Sequence, residues 1–569
     1  MDPKEKFREI LRDGALRFSE EELAISIERP ANPEHGDYAS NVALQLSKRL
    51  RRNPRQIAEE IAKAAGPALA ASGLFEPLTV AGAGFLNIRV KPAAKLGVIQ
   101  RVLEEGKDFG RAKPGKRDSI QIEFVSANPT GPLHVGHGRG AAYGDSLARL
   151  LEFAGARVTR EFYVNDAGRQ MDILALSVWL RYLQMRSTNV PFPQEGYRGD
   201  YVRDIAARLD DEKLERKVDF SGVLSDADAE IDRLIDLAKK ALGDGWKRVH
   251  QFALEAMLAD QREDLAAFRV SFDRWYFEQS LHDKGLLDKA LELLRSRGHL
   301  FEQDGALWFR SSAFGDEKDR VVRRENGQYT YFASDIAYHL DKFERGFDRV
   351  IDVWGADHHG YMARVKGALE AFGLDPGKLE IALVQFAVLY RNGEKVAMGK
   401  RSGEFVTLRE LREEVGNDAA RFFYVLRKSD QHLDFDLDLA KSESNDNPVY
   451  YVQYAHARVC SVFSQWGGDS RALSSVPLEL LKSERELLLA QRLAEFPELI
   501  LTAARERAPH SVAFYLRELA AEFHSYYNAE RILVDDETLR AARLALSAAV
   551  RQTLANGLSL LGVSAPEKM

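Results

Sequence analysis

The sequence predicts an α/β protein: a parallel-sheet domain with a helical insertion, an N-terminal α+β domain and a C-terminal all-α helix bundle. Three observations predict it. From residue 118 to about 405, short apolar strand-like runs alternate with helical ones, the pattern of a doubly wound sheet. The first such strand leads through a Pro- and Gly-punctuated turn into a helix start that carries His134-Val-Gly-His137. From about residue 406 onward, apolar residues step by three or four almost throughout.

Composition sets the outer limits. The chain has 569 residues, room for roughly three to four domains. Hydrophobic residues make up 45% and charged residues 29%, an ordinary globular balance. A net charge of −7 argues against a uniformly basic nucleic-acid coat but permits local basic patches. The single cysteine, Cys460, excludes a disulfide framework within the chain and a cysteine-cluster zinc site. The start, Met1-Asp-Pro-Lys-Glu-Lys-Phe-Arg, has no apolar signal core. No stretch of about 20 apolar residues appears. A cytoplasmic enzyme or binding protein with no membrane contact is expected.

Residues 1–110 read as the small α+β domain. Asn53 and Pro54 form a helix cap and first turn, and Ile57, Ile61 and Ala65 then step by four. Leu78 to Val90 alternates like a strand pair around Gly82 and Gly84. Lys48-Arg-Leu-Arg-Arg-Asn-Pro-Arg55 has five basic residues in eight. Lys48, Arg51 and Arg52 there are either RNA phosphate contacts or the solvated end of a helix. Lys107 to Lys116 reads as a linker.

Residues 111–405 form the sheet domain. Ile120 to Val125 is its first strand, His134 to Phe153 a helix stopped by Gly155, and Val158 to Val164 the second strand. The unit should be parallel with a right-handed crossover. Arg349 to Trp354 and Leu379 to Leu389 read as further buried strands. A charge-rich helical insert occupies about 170–320 and includes Ala227 to Ala241 and Trp246 to Ala267. In the bundle, 406–569, Val512, Leu516, Leu519, Phe523 and Tyr526 share one face, and Glu537 to Leu561 is amphipathic.

Four constellations carry chemistry. A strand, a tight turn and a helix N-terminus make an anion site, because free N–H groups and the positive dipole end face the ligand. His134 and His137, three apart, share one side of the first turn, and Gly136 leaves bare backbone where a flat base could rest. Second, Lys395-Val-Ala-Met-Gly-Lys-Arg-Ser-Gly403 is a Gly-punctuated basic loop. Lys400 and Arg401 in it either neutralise phosphate charge or are ordinary surface cations. Third, Tyr331 and Asp335 would share a face at a helix start, an aromatic and a carboxylate suited to a cation, unless Asp335 merely caps the helix. Glu123 is a carboxylate inside an apolar strand, where an unpaired charge is costly unless it points to solvent. Fourth, Trp354-Gly-Ala-Asp-His-His-Gly360 ends a strand; adjacent histidines diverge, so a ligand contact fits better than a metal.

Taken together, these segments resemble the class I aminoacyl-tRNA synthetases, most closely the arginyl-tRNA synthetases of bacterial type. His134-Val-Gly-His137 resembles the HIGH signature, and Ala397-Met-Gly-Lys-Arg401 the KMSKR loop. Glu123-Phe-Val-Ser-Ala-Asn-Pro129, Phe162-Tyr-Val-Asn-Asp-Ala-Gly-Arg169, Trp354–Gly360 and Gln453-Tyr-Ala-His-Ala-Arg458 are similar to segments of that family. The resemblance covers essentially the whole chain. It implies a Rossmann catalytic domain, an N-terminal domain touching the tRNA elbow, and a helical domain for stem contact and anticodon binding.

The resemblance also implies residue roles. His134, Gly136, His137, Met398, Lys400 and Arg401 would bind ATP, with His134, His137 and Lys400 acting in catalysis. Glu123 and Asn128 would hold the amino acid's backbone and amine; Tyr331 and Asp335, with Asp357, would hold its guanidinium. Gln453, Tyr454, His456 and Arg458 would join Lys48, Arg51 and Arg52 as tRNA contacts. Ala397 stands where the family has its first loop lysine and Gly399 where it has serine, so Lys395 or Arg401 is the replacement charge. The implied reaction is ATP-dependent ligation of L-arginine to tRNA(Arg) through an arginyl-adenylate, releasing AMP and pyrophosphate, with activation requiring bound tRNA. ATP would bring Mg2+; no tightly bound cofactor or resident metal is expected, and a monomer is.

Other classes fit less well. A small nucleotidyltransferase would not need so large a bundle. A non-catalytic RNA-binding protein would leave the two ATP loops unexplained. Gly138-Arg-Gly-Ala-Ala-Tyr-Gly144 has the wrong spacing for a dinucleotide oxidoreductase.

Overall fold

The protein is described from a computed structural model that covers residues 3–18, 24–30, 32–112, 118–186, 190–209, 211–215, 220, 227–396, 406–469, 473 and 475–569. Its centre is a five-stranded parallel sheet. In chain order the elements that build the site are β1 (Ser119–Glu123), α1 (Val135–Phe153), β2 (Arg157–Val164), α2 (Asp244–Ala267), β3 (Arg274–Phe277), α3 (Tyr331–Glu344), β4 (Arg349–Gly355), β5 (Leu379–Val384), α4 (Leu408–Val415) and α5 (Asn417–Val425). The strand order is β5-β4-β1-β2-β3, every neighbouring pair parallel. The order reverses between β1 and β4, and a ligand crevice opens at the strand C-termini at such a switch point.

β1 is buried at all five residues, as a central parallel strand must be. Two of its polar side chains find partners inside: Gln121 Nε2 donates to Glu161 Oε1 at 3.2 Å, though Gln121 Oε1 has no partner among the described residues, and Glu123 is ion-paired. α1 is covered on nearly every side, because it runs between the sheet and the C-terminal helices. One apolar core accordingly extends from Ile120 and Leu147 through Phe422 to Leu516 and Leu558. Gly144 lets α1 approach the sheet; a Cβ there would sit 2.3 Å from Phe124 Cγ.

The first strand is shorter than expected. It ends at Glu123, and Val125 (φ 69°) and Ser126 (φ 40°) turn into left-handed backbone. The Ser126 N–H donates to the Phe124 carbonyl at 3.0 Å, closing a tight turn that an apolar run does not announce. The helical insert is also shorter than the expected 170–320. Helices Arg169–Gln184, Asp200–Ala207, Ala227–Leu242 and α2 pack around their own core of Trp179, Leu234 and Trp246. The chain then returns to the sheet as β3, whose four residues were hidden within the longer helical run. Leu379 to Leu389 is two strands, not one. β5 leaves the sheet at Val384, and Ala387–Arg391 joins Leu433–Asp436 in a second sheet. The Gln385 N–H between them donates to the Ser429 carbonyl at 2.8 Å, and Phe386 turns outward.

The N-terminal domain follows its sequence pattern. The Asn53 side chain accepts from the Arg55 N–H, and Ile57, Ile61 and Ala65 are buried beneath Pro54–Ser72. Thr79–Ala81 and Phe85–Ile88 pair antiparallel around the Gly82–Gly84 turn. Lys4–Glu498 and Arg29–Glu495 ion pairs fasten this domain to the C-terminal bundle. In the bundle, Val512, Leu516, Leu519, Phe523 and Tyr526 are all buried along Pro509–Ala529. Glu537–Leu560 is the terminal helix.

One buried cation ties the layers together. Arg421 on α5 is fully buried and pairs with Asp145 on α1. It also donates to the Phe268 carbonyl at 2.8 Å and the Leu561 carbonyl at 2.9 Å. Removing one partner of such a pair strands the other charge in the interior. Asp145→Ala should therefore destabilise the protein by about 3–5 kcal/mol, read as a lowered urea midpoint at unchanged helix content; a parent-like midpoint contradicts this role.

Candidate active site

All five parallel strands end at one edge, and the chain after each end supplies candidate groups. After β1, the turn Asn128–Leu133 delivers His134 as the N-cap of α1. Its Nδ1 accepts the Gly136 N–H at 3.1 Å, while His137 Nδ1 accepts the His134 N–H at 3.2 Å. The two rings stack with centroids 3.6 Å apart. An imidazole nitrogen that accepts a hydrogen bond carries no proton, so each neutral ring bears its proton on Nε2. Burial, and then the charge of His134, push the His137 pKa down to about 3, leaving it neutral. Gly136 is required by the approach: a Cβ there would lie 2.9 Å from His134 Cε1. The sequence placed both rings on one side of the turn; the structure adds that they cap the helix and that their tautomers are set.

Met398, Lys400 and Arg401 lie outside the described residues, as does Ala397. The chain on both sides of them is described. Lys395 is exposed in a short hairpin, paired with Tyr390. Downstream, the Val406 carbonyl accepts the Val135 N–H at 3.2 Å, and the Leu408 N–H donates to the Leu133 carbonyl at 2.8 Å. Thr407 pairs with His134 and caps α4 with Glu410. The downstream end of the basic loop is thus hydrogen-bonded to the imidazole turn itself.

The second feature is a cluster of carboxylates. Asp166 follows β2, Glu278 follows β3, and Asp335 lies on the second turn of α3. Among the described residues, none of the three forms an ion pair with lysine or arginine. Burial raises the Glu278 pKa to about 7; hydroxyls of Ser334 and Tyr163 oppose this, and the charges of Asp335 and Asp166 add to it. Burial likewise raises Asp335, against a hydrogen bond from the Tyr361 hydroxyl. Asp166 is raised by burial, with backbone N–H groups opposing. Three acids within electrostatic reach of one another, beside the hydroxyls of Tyr163 and Tyr361, suit a planar cation that donates to more than one of them.

The expected residues fare differently. Tyr331 opens α3 but is 64% exposed at the rim, one turn before Asp335. Tyr361, not Tyr331, touches the Asp335 carboxylate. Glu123 is not turned to solvent. It accepts from Lys342, from the Tyr338 hydroxyl at 3.0 Å and from Ser126 Oγ at 2.8 Å. Lys342, fully buried, also reaches Asp352 at 2.7 Å, and His339 bridges Asp352 to the Asp335 carbonyl at 2.9 and 2.8 Å. Burial works against the Asp352 charge, but Lys342 and His339 outweigh it and hold its carboxyl below the usual range. Asn128 is exposed on the turn, its amide donating to Gln170 at 2.9 Å. Asp357 is exposed after β4, beside His358.

Sequence reading missed Glu278, Asp166, Tyr163 and Tyr361. Asp166 and Tyr163 lay within the quoted Phe162–Arg169 run; Glu278 followed a strand taken as insert. Of the RNA-contact candidates, Lys48, Arg51 and Arg52 are exposed on the N-terminal domain. Tyr454 and Arg458 are half-buried in a ring stack: Tyr450 and His524 flank Tyr454 at 5.9 and 5.6 Å, and Arg458 lies over Tyr454 at 4.5 Å. Gln453 and His456 are corrected. Both are buried and hold the C-terminal segment, Gln453 donating to the Ser564 carbonyl at 2.9 Å and His456 meeting the Pro566 carbonyl at 2.8 Å. They occupy the inward face of a helix whose outward face carries Tyr454.

Three family models match successive parts of the chain. Residues 3–90 match the arginyl tRNA synthetase N terminal domain, 98–433 the class I (R) tRNA synthetase catalytic domain, and 452–569 the DALR anticodon binding domain. The arginine–tRNA ligase of Aromatoleum aromaticum is 60% identical over the full length of both chains, and that of Azoarcus sp. 59% over the full length of both. Among solved structures, the arginyl-tRNA synthetase of Thermus thermophilus superposes with a TM-score of 0.76 at 26% identity, covering 100% of both chains. A putative arginyl-tRNA synthetase from Campylobacter jejuni gives 0.74 at 33% identity, covering 84% of this chain and 100% of that one.

The raised carboxyls give a pH prediction. Burial raises the Glu278 carboxyl to about 7, so binding a cation against its charged form should release a proton near neutrality. Arginine should bind more tightly as pH rises from about 6 to about 8. Calorimetry in buffers of different ionisation enthalpy should show release of up to about one proton. Binding that is independent of pH and buffer would contradict the slot.

Proposed function

The chain belongs to the arginyl-tRNA synthetases and joins arginine to tRNA at the expense of ATP, and we propose how its residues divide that work. The observation that carries the proposal is that the imidazole pair and the carboxylate cluster, which has no lysine or arginine ion pair among the described residues, lie at the same edge of one sheet. Asp335 and Glu278 receive the guanidinium, with Tyr361 and Tyr163 as walls and Tyr331 at the rim. Asn128 meets the amino acid's backbone. Glu123, already neutralised by Lys342, contributes to the amine site through the network it anchors rather than as a lone charge.

In the first step the arginine carboxylate attacks the ATP α-phosphorus in line, and pyrophosphate leaves. No protein nucleophile is required. His134 and His137 present Nε2–H groups as donors to phosphoryl oxygens, and their Nδ1 bonds to backbone keep those donors aimed. Lys400, Met398 and Arg401 serve as ATP contacts, with Lys395 as an added charge, and the described chain that follows them is hydrogen-bonded at Val406 and Leu408 to the imidazole turn. ATP brings Mg2+ on its own oxygens. In the second step a terminal ribose hydroxyl of tRNA attacks the adenylate carbonyl and AMP leaves.

Three units, with junctions proposed near residues 110 and 405, would serve these steps. Lys48, Arg51 and Arg52 offer phosphate contacts, and the Tyr450–Tyr454–His524 stack offers unpaired bases a platform. A cytoplasmic monomer is part of the proposal; among the described residues no helix is long and apolar enough to cross a membrane.

His134→Ala or His137→Ala should lower the charging rate by about 100- to 1,000-fold, as loss of a positioned donor does, with tRNA affinity nearly intact; near-normal turnover refutes the assignment. Asp335→Asn should weaken arginine use by roughly 2–5 kcal/mol in kcat/KM, and an unchanged kcat/KM for arginine would remove it from the slot. The broadest check is charging of total tRNA with each amino acid, with and without ATP. Arginine alone, and only with ATP, is the expected result.

A further inference from the structure

The insertion holds the imidazole turn from outside. Gln261, fully buried on α2, gives its Nε2 to two carbonyls of that turn, Asn128 and Gly131, each at 3.1 Å. Between them, the Thr130 carbonyl accepts from the Tyr201 hydroxyl at 2.7 Å, and Tyr201 also belongs to the insertion. Three carbonyls of the turn that leads to His134 are therefore held by insertion side chains. The same stretch of α2 grips α4. Asp260 pairs with Arg409 at 2.9 Å, and buried Asp264 pairs with Arg412. At the helix end, the Ala267 carbonyl accepts from Asn417 at 2.7 Å. Residues 260, 261 and 264 fall on one side of the helix by their spacing.

Packing alone does not account for a glutamine here. A methionine would fill similar volume without desolvating an amide. The Gln261 Oε1 is buried with no partner among the described residues, so the amide gains nothing on that side. What it does supply is a fixed distance between two carbonyls of one turn, which fixes where the next residues enter α1. The imidazole turn and α4 then share one support: Gln261 sets the turn before His134, while Asp260 and Asp264 hold α4.

We propose that α2 is a strut joining the insertion to the imidazole turn and to α4, with Gln261 and Tyr201 as positioning residues for the imidazole turn. Neither touches the reacting atoms; they act through Asn128–Gly131. The proposal rests on the arginine-charging reading for its assay. In the full-length enzyme, Gln261→Met removes both donors and keeps the shape. Arginine-dependent, tRNA-supported ATP–pyrophosphate exchange should lose about tenfold or more in kcat. The thermal midpoint should stay within a few degrees of the parent, and the KM for tRNA should stay within about twofold. Tyr201→Phe, which drops only a hydroxyl, should lower kcat in the same direction. A parent that fails to charge arginine would defeat the functional reading instead, and so is distinguishable. With an active parent, kcat within about twofold for both variants overturns the strut. So does a loss that merely tracks unfolded protein in the melt. If Gln261→Met does not fold, Tyr201→Phe decides alone by the same criterion.

Discussion

Asp166, Glu278 and Asp335 meet at the ends of two strands and on one helix without a lysine or arginine among them. Like charges in a dry site are expensive, and a protein has three ways to meet that expense: protonate, pair internally, or wait for a ligand. A few ångströms deeper in the same domain, the chain takes the second course. Glu123, Glu161 and Asp352 are matched by Lys342, Arg345 and His339. The contrast is between carboxylates neutralised by built-in cations and carboxylates that have no lysine or arginine ion pair among the described residues. A cation placed there finds acids whose hydrogen-bond partners are hydroxyls and backbone N–H groups rather than lysine or arginine, and a planar, multiply donating cation satisfies more than one of them. The rest of the site depends on this, because a substrate anchored at one end presents its carboxylate at a fixed distance from the phosphate-binding edge.

At that edge the constraint is geometric. A helix N-terminus has unsatisfied N–H groups, and a short polar side chain usually satisfies them. Here two imidazoles do so, which leaves their other nitrogens as hydrogen-bond donors and forbids protonation at Nδ1. Neutral donors stabilise charge that develops on phosphoryl oxygens without requiring a second buried cation. The α1 helix that carries them is buried between the sheet and the bundle, within a single apolar core. Its position is therefore fixed in part by the helices that match the anticodon-binding family.

Much of this was legible in the sequence where period and punctuation agree. The Asn53–Pro54 cap, the Gly82–Gly84 hairpin and the stripe from Val512 to Tyr526 needed only local rules. His134 and His137 were legible because strand, turn and helix start have distinct chemistry. What was not legible depends on chain segments far apart. β3 is four residues long and looks like part of the helical insert until it finds β2. Glu278 therefore had no reason to be read as a site residue. Asp335 was visible, but its companion Tyr361 lies 26 residues away. Gln453 and His456 were grouped with Tyr454 because the whole run Gln453–Arg458 resembles a family segment, yet a helix turns neighbouring residues to different sides. Val125 in left-handed backbone had no signal at all, since nothing about valine favours a positive φ.

The most direct measurement of the central claim is a crystal structure of the enzyme with arginine and a non-hydrolysable ATP analogue. The guanidinium should lie within hydrogen-bonding reach of both Asp335 and Glu278, with phosphate oxygens facing the Nε2 atoms of His134 and His137. A guanidinium bound elsewhere, with Glu278 and Asp335 left facing each other, would contradict the account.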